Sequence, residues 1–385
     1  ILYVETNNNM TTPREQYLYA INTANGSVLW RQPSARAFIN NEAIYTLVES
    51  TTSNISTLTA RDLRTGQQLW QHQYDIVGSK KDPARGTNNT DGFRLITVTD
   101  QILYAVASYP QNRQNIFARY ALSPKDGSII WQNHEVISGS MSFIEAQVVS
   151  GTVYTTEYNL KPVTPHINSQ GLTVDEIPQS HVIAYDASDG TRRWRTPEMI
   201  GAEPNGGFSL TASNGMLYFK TFYQDLEIRD VSNITTFHAL SMKDGSQDWQ
   251  YQVKDDTVDG AVLEGNSLYF ETSQLKTVNG KQDLTQTIVA LNAQTGKVRW
   301  STPVKLLDGT EKTPTPDPHS VDPGMAVEYI TDMAPAASKD ALYYSTPGSR
   351  VYVLRPSDGK ILSQFWVDKT PQTTVQYRAV LFVAP

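Results

Sequence analysis

The sequence contains no cysteine, so disulfide bonds, thiol catalysis and thiolate metal sites are all excluded. It also lacks an apolar run of about 18 residues, the length that a membrane-spanning helix needs. A concentration of positive charge is missing as well, because the net charge is −7 and the basic pair Lys80-Lys81 is followed directly by Asp82. We therefore expect no nucleic-acid partner and no membrane span within these 385 residues.

The polar composition and the first residue bear on the compartment. Asn, Gln, Ser and Thr are favoured over Lys and Glu, which favours an extracytoplasmic location, whether cell surface, periplasm or secreted. The chain starts with Ile1, inside the strand-like segment ILYVET, rather than with Met. This start favours a fragment or a processed form, and we expect any signal peptide or anchor to lie upstream of it.

Tryptophan follows a repeat. Six of the 7 tryptophans stand four residues after a glycine, at the end of a segment of the type LYAINTANGSVLW. A seventh copy, VYVLRPSDGKILS, keeps the glycine and has Ser363 at the tryptophan position. A small apolar residue stands six positions before each glycine. The glycines are Gly26, Gly66, Gly127, Gly190, Gly245, Gly296 and Gly359.

The repeat predicts a specific arrangement of strands. The residue before each of these glycines is Asn, Thr or Asp, which suits a tight hairpin turn whose next residue takes a positive φ. Upstream of most hairpins lies a second pair of alternating segments around another tight turn, as in LITVTDQILYAVA. Four antiparallel strands, A to D, thus recur seven times. We predict an all-β fold, a seven-bladed β-propeller forming a single domain over residues 1–385, with eight blades as the alternative.

The two ends of the chain predict how the propeller closes. The first copy lacks strand A, because Ile1 already begins strand B. The last copy is complete near Trp366, and one further strand-like segment, VQYRAVLFVA, follows at residues 375–384. We predict that this segment pairs with strand 1–6 and supplies the missing strand A. Such closure removes two exposed sheet edges, and we expect a monomer.

The repeat resembles that of the PQQ-like family, which takes its name from enzymes that use pyrroloquinoline quinone (PQQ). The family pattern runs Ala-Leu-Asp, two residues, Thr-Gly, three residues, Trp, and the segment ALNAQTGKVRW is close to it. The resemblance covers essentially the whole chain. It implies that the repeat tryptophans dock between neighbouring blades and hold them together. These blade-docking residues are Trp30, Trp70, Trp131, Trp194, Trp249 and Trp300.

The resemblance leaves two functions open. The quinoprotein dehydrogenases have eight blades, often a disulfide between adjacent cysteines, and a Glu/Asn/Asp set that holds Ca²⁺; no stretch of this sequence matches those motifs. The non-catalytic relatives include the lipoprotein scaffold of the outer-membrane barrel-assembly machinery and extracellular sensor domains. The resemblance implies a non-catalytic, extracytoplasmic binding or scaffold propeller without a cofactor. The alternative is a PQQ-dependent alcohol or sugar dehydrogenase with Ca²⁺.

Connectivity predicts which surface binds. In a propeller blade, the A–B and C–D turns lie on one face and the B–C and D–A connections lie on the other. All long insertions fall in the second class. Between strands B and C they are residues 159–179, 223–233 and 273–283, and between strands D and A they are residues 74–92 and 303–331. We therefore expect a protein or cell-envelope ligand on that face. Charged strand-A residues lead from it into the channel, as a ligand site or as mutually paired residues. They are Arg36, Arg94, Glu145, Asp259, Asp332 and Arg378.

One further segment, TPTPDPHSVDPG, contains residue types that can bind a divalent metal. The weak candidates are Asp317, His319 and Asp322. Its four prolines favour a stiff, extended loop instead. We therefore predict no metal site and keep these three residues as the alternative.

Overall fold

The structure is a computed structural model, and its described residues contain strands and no helix. They are residues 1–8, 15–33, 37–49, 55–75, 92–111, 114–137, 145–167, 173–201, 210–225, 232–254, 257–278, 281–304, 335–345 and 350–366. The predicted all-β class is confirmed. The chain divides into two compact units: unit 1 is Ile1–Leu160 with His181–Glu198, and unit 2 is Lys161–Ser180 with Met199–Pro385.

Unit 1 contains three antiparallel sheets and most of a fourth. The first sheet is β1 (Leu2–Asn8), β2 (Glu15–Ile21) and β3 (Val28–Pro33). The second is β4 (Ala37–Ile39), β5 (Ala43–Glu49), β6 (Ile55–Asp62) and β7 (Gln68–Asp75). The third is β8 (Gly92–Val98), β9 (Leu103–Gln111), β10 (Gln114–Leu122) and β11 (Ile129–Ile137). The fourth is β12 (Ala146–Val149), β13 (Thr152–Ile167), β14 (Thr173–Asp186) and β15 (Arg192–Arg195).

Unit 2 contains three more sheets and the far ends of β13 and β14. A short strand, β16 (Met199–Ile200), pairs with β14 as a fifth member of the fourth sheet. The fifth sheet is β17 (Thr211–Ser213), β18 (Met216–Asp225), β19 (Ser232–Ser241) and β20 (Gln247–Lys254). The sixth is β21 (Thr257–Glu264), β22 (Ser267–Val278), β23 (Lys281–Asn292) and β24 (Val298–Val304). The seventh is β25 (Ala336–Ala337), β26 (Leu342–Ser345), β27 (Arg350–Leu354) and β28 (Ile361–Trp366).

The glycine turns have one geometry throughout. All seven glycines have φ between 67° and 76°, a region that residues with a Cβ adopt only under strain. In each turn the glycine N–H donates to the carbonyl oxygen four residues earlier, at 2.8–2.9 Å. The ladder shifts register by one residue beside the turn, between Ala20 and Ile21 in the first sheet and at the equivalent place in the others. Each repeat thus ends in the same bulged hairpin.

Three insertions expected to be loops are extensions of hairpins instead. Within the predicted connection 159–179, β13 continues to Ile167 and β14 begins at Thr173. The ladder of β18 and β19 reaches Asp225 opposite Ser232, and that of β22 and β23 reaches Val278 opposite Lys281. Continued pairing satisfies the backbone N–H and C=O groups of these long segments, which an irregular loop would leave to water.

The core consists of apolar clusters, each of them shared by two successive sheets. First strands of successive sheets approach one another: β4 contacts β8 and β8 contacts β12 in unit 1, while β21 contacts β25 in unit 2. The predicted pairing of residues 375–384 with β1 lies outside the described residues, and the number of blades stays a prediction. No helix that could cross a membrane occurs in the described part of the chain.

Candidate functional site

The repeat tryptophans reach from one sheet to the next. In five cases the indole Nε1–H donates to a backbone carbonyl of the following sheet, at 2.8–3.2 Å. The accepting residue always stands three positions before that sheet's turn glycine. The pairs are Trp30 with Leu63, Trp70 with Pro124, Trp131 with Ala187, Trp249 with Ala293, and Trp300 with Pro356. Each of these five tryptophans therefore links its own sheet to the following one.

The turn glycine is needed for a second reason besides its φ. A Cβ placed on Gly66 would lie 2.8 Å from the ring of Trp30, and one on Gly359 would lie 2.4 Å from Trp300. Gly127, Gly190 and Gly296 meet their tryptophans in the same way. No real carbon atom approaches a ring so closely, so glycine is the residue that lets the indole lie flat on the turn.

A tyrosine in strand B of the repeat packs against each repeat tryptophan. In six sheets the two rings pair within the same sheet, with centroids 5.8–6.3 Å apart. Trp194, the repeat tryptophan that is not among the five above, also forms such a ring pair, with Tyr154. Aromatic pairs of this kind add about 0.5–1.5 kcal/mol to the energy of burial. Five of these six tyrosines stand three residues after the first tight turn of their repeat, a signal that the sequence reasoning did not use.

Three of the six charged residues predicted for the binding face lie outside the described residues, namely Arg36, Asp332 and Arg378. The three weak metal candidates, Asp317, His319 and Asp322, lie outside them as well. Asp259 lies in β21, of which only the backbone is described at that position. Arg94 lies in β8 and Glu145 directly precedes β12, both half-buried. Because β8 and β12 are in contact, these two predicted residues belong to neighbouring first strands.

Arg94 shares a face of its sheet with a second arginine that the sequence reasoning missed. Val106 of β9 is paired with Arg94 on one side and with Arg119 of β10 on the other. Residues directly opposite each other in antiparallel strands point to the same face. This face also holds Tyr104 and Phe117, which join the apolar cluster shared with the fourth sheet. Both arginines are therefore directed towards that sheet.

Arg119 forms an ion pair across this seam with Glu157 of β13. Their side chains are only 2% and 6% exposed. Each partner has a second, solvent-accessible counterion: Arg119 Nη2 is 3.2 Å from Glu135 Oε2, and Arg195 Nη2 is 3.8 Å from Glu157 Oε2. We call these four residues the charged seam. It contains two positive and two negative groups.

Aromatic and histidine side chains enclose the charged seam. The guanidinium of Arg119 lies 4.7 Å from the ring centre of Phe117 and 5.5 Å from that of Tyr185. Burial raises the pKa of Tyr104 to about 12, although the positive charge of Arg119 opposes the shift. Burial, helped by Arg195, lowers the pKa of His181, whose Nδ1 is 3.2 Å from the carbonyl of Thr196. At neutral pH Tyr104 and His181 are therefore both uncharged. The two arginines and two glutamates of the charged seam neutralise one another without them.

Backbone contacts link the charged seam to the predicted residue Glu145. The Glu145 N–H donates to the hydroxyl of Thr156 at 3.0 Å, and the Thr156 N–H donates to the Glu145 carbonyl at 3.0 Å. Thr156 directly precedes Glu157. The arrangement therefore ties Glu145, which directly precedes the first strand of the fourth sheet, to the residue beside Glu157 of the buried ion pair.

The sequence carries a signal for Arg119 that only the repeat alignment reveals. Arg119 stands eight residues before Gly127. The other six repeats have an apolar residue there: Leu18, Leu58, Val182, Phe237, Ile288 and Val351. A charge at a position that is otherwise apolar needs a buried counterion. Glu157 has no such regular position, and nothing in the sequence identifies it as the partner.

Unit 2 contains a contrasting seam between the fifth and sixth sheets. Phe237 packs there against Phe270, with ring centroids 4.5 Å apart, and both side chains are fully buried. The neighbouring His238 stacks on Phe219 with centroids 4.7 Å apart. Its Nε2 is 3.0 Å from Thr221 Oγ1 and its Nδ1 is 3.1 Å from Gln247 Oε1. Burial lowers the pKa of His238, partly offset by the hydrogen bond to Gln247.

The dehydrogenase alternative needs ligands for PQQ and Ca²⁺. No three His, Asp or Glu side chains come together as a metal site within the described ranges. The vicinal disulfide of those enzymes is impossible in a chain without cysteine. Glu157 is the more deeply buried of the two glutamates in the charged seam. It faces Arg119, which compensates its charge.

Three solved structures illustrate what the chain is similar to. BamB from Moraxella catarrhalis is 13% identical, with a TM-score of 0.43 over 91% of this chain and 82% of that one. The computationally designed Ika8 protein is 11% identical, with a TM-score of 0.46 over 95% and 83%. The quinohemoprotein alcohol dehydrogenase from Comamonas testosteroni is 10% identical, with a TM-score of 0.48 over 94% and 65%. Comparison with curated protein sequences found no match.

The sequence itself matches a protein family whose description is outer membrane protein assembly factor BamB. The match covers residues 2–134 and 118–315, and so includes the first six repeats with all six repeat tryptophans. Because it spans most of the chain, this protein belongs to the PQQ-like β-propeller family described as outer membrane protein assembly factor BamB.

Proposed function

We propose that the protein is a non-catalytic, extracytoplasmic scaffold that holds a protein partner on the face formed by its longest connections. Family membership carries this proposal, because the family is described as an assembly factor for outer membrane proteins. An assembly factor acts by binding another protein. It needs a rigid surface of the right shape, and function of that kind resides in surface loops supported by a stable framework.

The ion pairs and hydrogen bonds of the buried ionisable side chains support the scaffold role. In the charged seam, Arg119 and Glu157 neutralise each other inside the protein. His181 and His238 are buried; His181 Nδ1 faces the carbonyl of Thr196, and both ring nitrogens of His238 face side-chain partners. Groups held in this way fix the packing of sheets, whereas a catalytic acid or base must be able to reach a substrate.

A comparison of two variants tests which surface binds. In the first variant a short turn replaces residues 305–331, which leaves β24 intact. The matched control reverses exposed charges at the glycine turns through Lys125→Glu and Lys243→Glu. Each protein is immobilised, exposed to solubilised native envelope and cross-linked, and the captured proteins are identified by mass spectrometry. We expect the loop replacement to lose a partner that the control retains. Retention by the loop variant with loss in the control would overturn the proposed face.

The dehydrogenase alternative has its own test. The purified protein is incubated with PQQ and Ca²⁺, washed, and measured by absorbance and by dye reduction with alcohols and sugars. We expect neither stoichiometric uptake nor substrate-dependent reduction. Uptake of one PQQ per chain would overturn the non-catalytic assignment, whatever the outcome of the binding experiment.

A further inference from the structure

Two buried polar atoms at the charged seam have no hydrogen-bond partner among the described residues. They are Nε of Arg119 and Nε2 of His181, and the two side chains are only 2% and 4% exposed. Nearly all buried polar groups in native proteins are hydrogen-bonded, either to the protein or to a bound molecule. Because both atoms lack a partner, they do not bond to each other. The protein itself therefore satisfies neither of them.

The ring of His181 points into the charged seam. Residues two apart in a strand share a face of the sheet, so His181 in β14 shares its face with Ile183 and Tyr185. Both of these belong to the apolar cluster that the third and fourth sheets share. The positive charge of Arg195, one of the four seam residues, contributes to the lowered pKa of His181 after burial itself. His181 is therefore directed towards the charged seam and close to it.

Arg119 and His181 meet at the same level of the seam, beside Glu157. The Ala187 N–H donates to the Gly151 carbonyl at 3.0 Å and so aligns β14 with β13. Counting six residues along each strand from this pair places His181 opposite Glu157, and side chains opposite each other on one face are within contact range. Arg119 forms its ion pair with the same Glu157. The two unsatisfied atoms therefore belong to side chains that flank one carboxylate.

The other ring nitrogen determines which role Nε2 of His181 has. Nδ1 is 3.2 Å from the carbonyl oxygen of Thr196, which can only accept a hydrogen bond, so Nδ1 carries the ring proton. Burial, helped by the charge of Arg195, lowers the pKa of His181 and keeps the ring neutral at neutral pH. Nε2 then has a lone pair and no proton. It is an acceptor that needs a donor.

The two unsatisfied atoms need opposite partners. Arg119 Nε–H is only a donor, because a guanidinium has no acceptor, whereas His181 Nε2 is only an acceptor. An anion satisfies the first and repels the lone pair of the second. A metal cation satisfies the second and is repelled by the first. A molecule that both donates and accepts serves the two atoms together, and water is the smallest one that a close-packed interior admits.

We propose that the charged seam holds a structural water molecule, which accepts a hydrogen bond from Arg119 Nε–H and donates one to His181 Nε2. The carboxylate of Glu157, flanked by both side chains, is its third partner, and about three hydrogen bonds are typical of a buried water. The water joins the third sheet to the fourth in addition to the ion pair. All three partners belong to unit 1, and the site is independent of the proposed scaffold face.

A crystal structure of the full chain tests this site directly. We expect an isolated density peak at hydrogen-bond distance, about 2.7–3.2 Å, from both Arg119 Nε and His181 Nε2. A second crystal, soaked in sodium bromide, distinguishes water from an anion, because bromide gives an anomalous signal. We expect none at the peak. A bromide at this position would overturn the proposal, and so would a protein group in place of the peak.

The tautomer of His181 is an independent check in solution. Protein labelled with ¹⁵N-histidine gives distinct signals for protonated and unprotonated ring nitrogens, and those of His181 are identified by their loss in His181→Gln. At neutral pH we expect a protonated Nδ1 and an unprotonated Nε2. A proton on Nε2 instead would make both unsatisfied atoms donors. That result favours an anion and would overturn the assignment of water.

Two substitutions separate the bound water from the packing of the ring. His181→Gln keeps a side-chain acceptor, Oε1, whereas His181→Leu fills the place with a side chain that has none. We expect the density peak to persist in crystals of His181→Gln and to be absent from those of His181→Leu. A peak of equal height in both variants would mean that His181 is not a partner of the water. If His181→Leu does not fold, the density and the tautomer of the unmodified protein decide the question.

Discussion

Two seams between neighbouring sheets use the same repeat position with opposite chemistry. Eight residues before the turn glycine, the third sheet has Arg119 and the fifth sheet has Phe237. Arg119 meets Glu157 in unit 1, whereas Phe237 meets Phe270 in unit 2. Both central residues are almost inaccessible to water. The repeat therefore accepts either an ion pair or an aromatic pair at one place in its framework.

The difference between the seams concerns specificity more than net stability. Removing two charges from water costs several kcal/mol per ion, and their attraction recovers this only with good geometry and further hydrogen bonds. In the charged seam this recovery is incomplete, because Arg119 Nε has no hydrogen-bond partner among the described residues. The aromatic seam gains about 1.5–3 kcal/mol for each buried ring. A lone charge, however, rejects every neighbour except one with the opposite charge, so the ion pair determines which sheets meet.

The largest expected effect comes from breaking the ion pair on one side. Arg119→Met leaves Glu157 buried opposite an apolar side chain, and we expect a loss of about 3–5 kcal/mol in the free energy of unfolding. Arg195 and Glu135 limit the loss, because each is partly exposed and can approach water. Urea denaturation followed by circular dichroism measures the effect.

The double variant Arg119→Met/Glu157→Leu is the control for that prediction. It converts the charged seam into an apolar one like that of unit 2, and we expect its stability to lie within about 1–2 kcal/mol of the unmodified protein. If the double variant is as unstable as the single one, the ion pair contributes stability that an apolar pair cannot replace, and the comparison of the two seams is wrong.

A second, somewhat smaller effect separates a turn glycine that a tryptophan covers from Gly26, which no described residue covers. Gly359→Ala combines an unfavourable positive φ with a Cβ that would lie 2.4 Å from the ring of Trp300, and we expect it to cost about 2–4 kcal/mol. Gly26→Ala has the same backbone strain without the clash, so we expect only about 1–2 kcal/mol. Chemical denaturation of both variants gives the difference directly. Equal losses would mean that strain, and not ring contact, explains the glycine.

The repeat made one part of the structure predictable. Regular spacing of Gly and Trp identifies the hairpin, its positive φ and the residue that reaches the next sheet, because the same physical requirement recurs in every copy. Arg94 lies in β8 and Glu145 directly precedes β12, two strands that are in contact, and their role in binding stays a prediction. A feature that recurs several times can be read from one sequence without knowledge of the contacts.

The features that occur once were not predictable in the same way. Glu157 becomes the partner of Arg119 only because β13 passes the third sheet at that point, and no spacing in the sequence encodes the passage. The extension of β13 to Ile167 and of β22 to Val278 was likewise missed, since Pro, Asn and Gly in these segments favour a loop by local preference. Continued backbone pairing overrides that preference once the hairpin has formed.

The smallest expected effect is a pH dependence of the free energy of unfolding, which comes from the buried side chain of His238. Burial lowers the pKa of His238 in the folded protein, whereas the unfolded chain has a value near the usual ~6.5. The unfolded state therefore binds a proton first as the pH falls. Stability from this group is complete above about pH 6.5 and is lost progressively below it, until the pH reaches the folded-state pKa.

The magnitude of this loss follows from the same linkage. Between about pH 7.5 and 5, each histidine of this kind contributes at most about 2 kcal/mol. His238→Gln retains a group that can bond to Thr221 and Gln247 but does not titrate, so we expect it to flatten the pH dependence of the free energy of unfolding. The matched variant His181→Gln acts beside the charged seam, where Arg195 adds to the lowering of the pKa. An unchanged pH profile in His238→Gln would mean that His238 has the same pKa in the folded protein as in the unfolded chain, so that burial does not lower it. His238 and Phe237 are consecutive in β19 and point to opposite faces of the fifth sheet, so this result would concern the face opposite the aromatic seam.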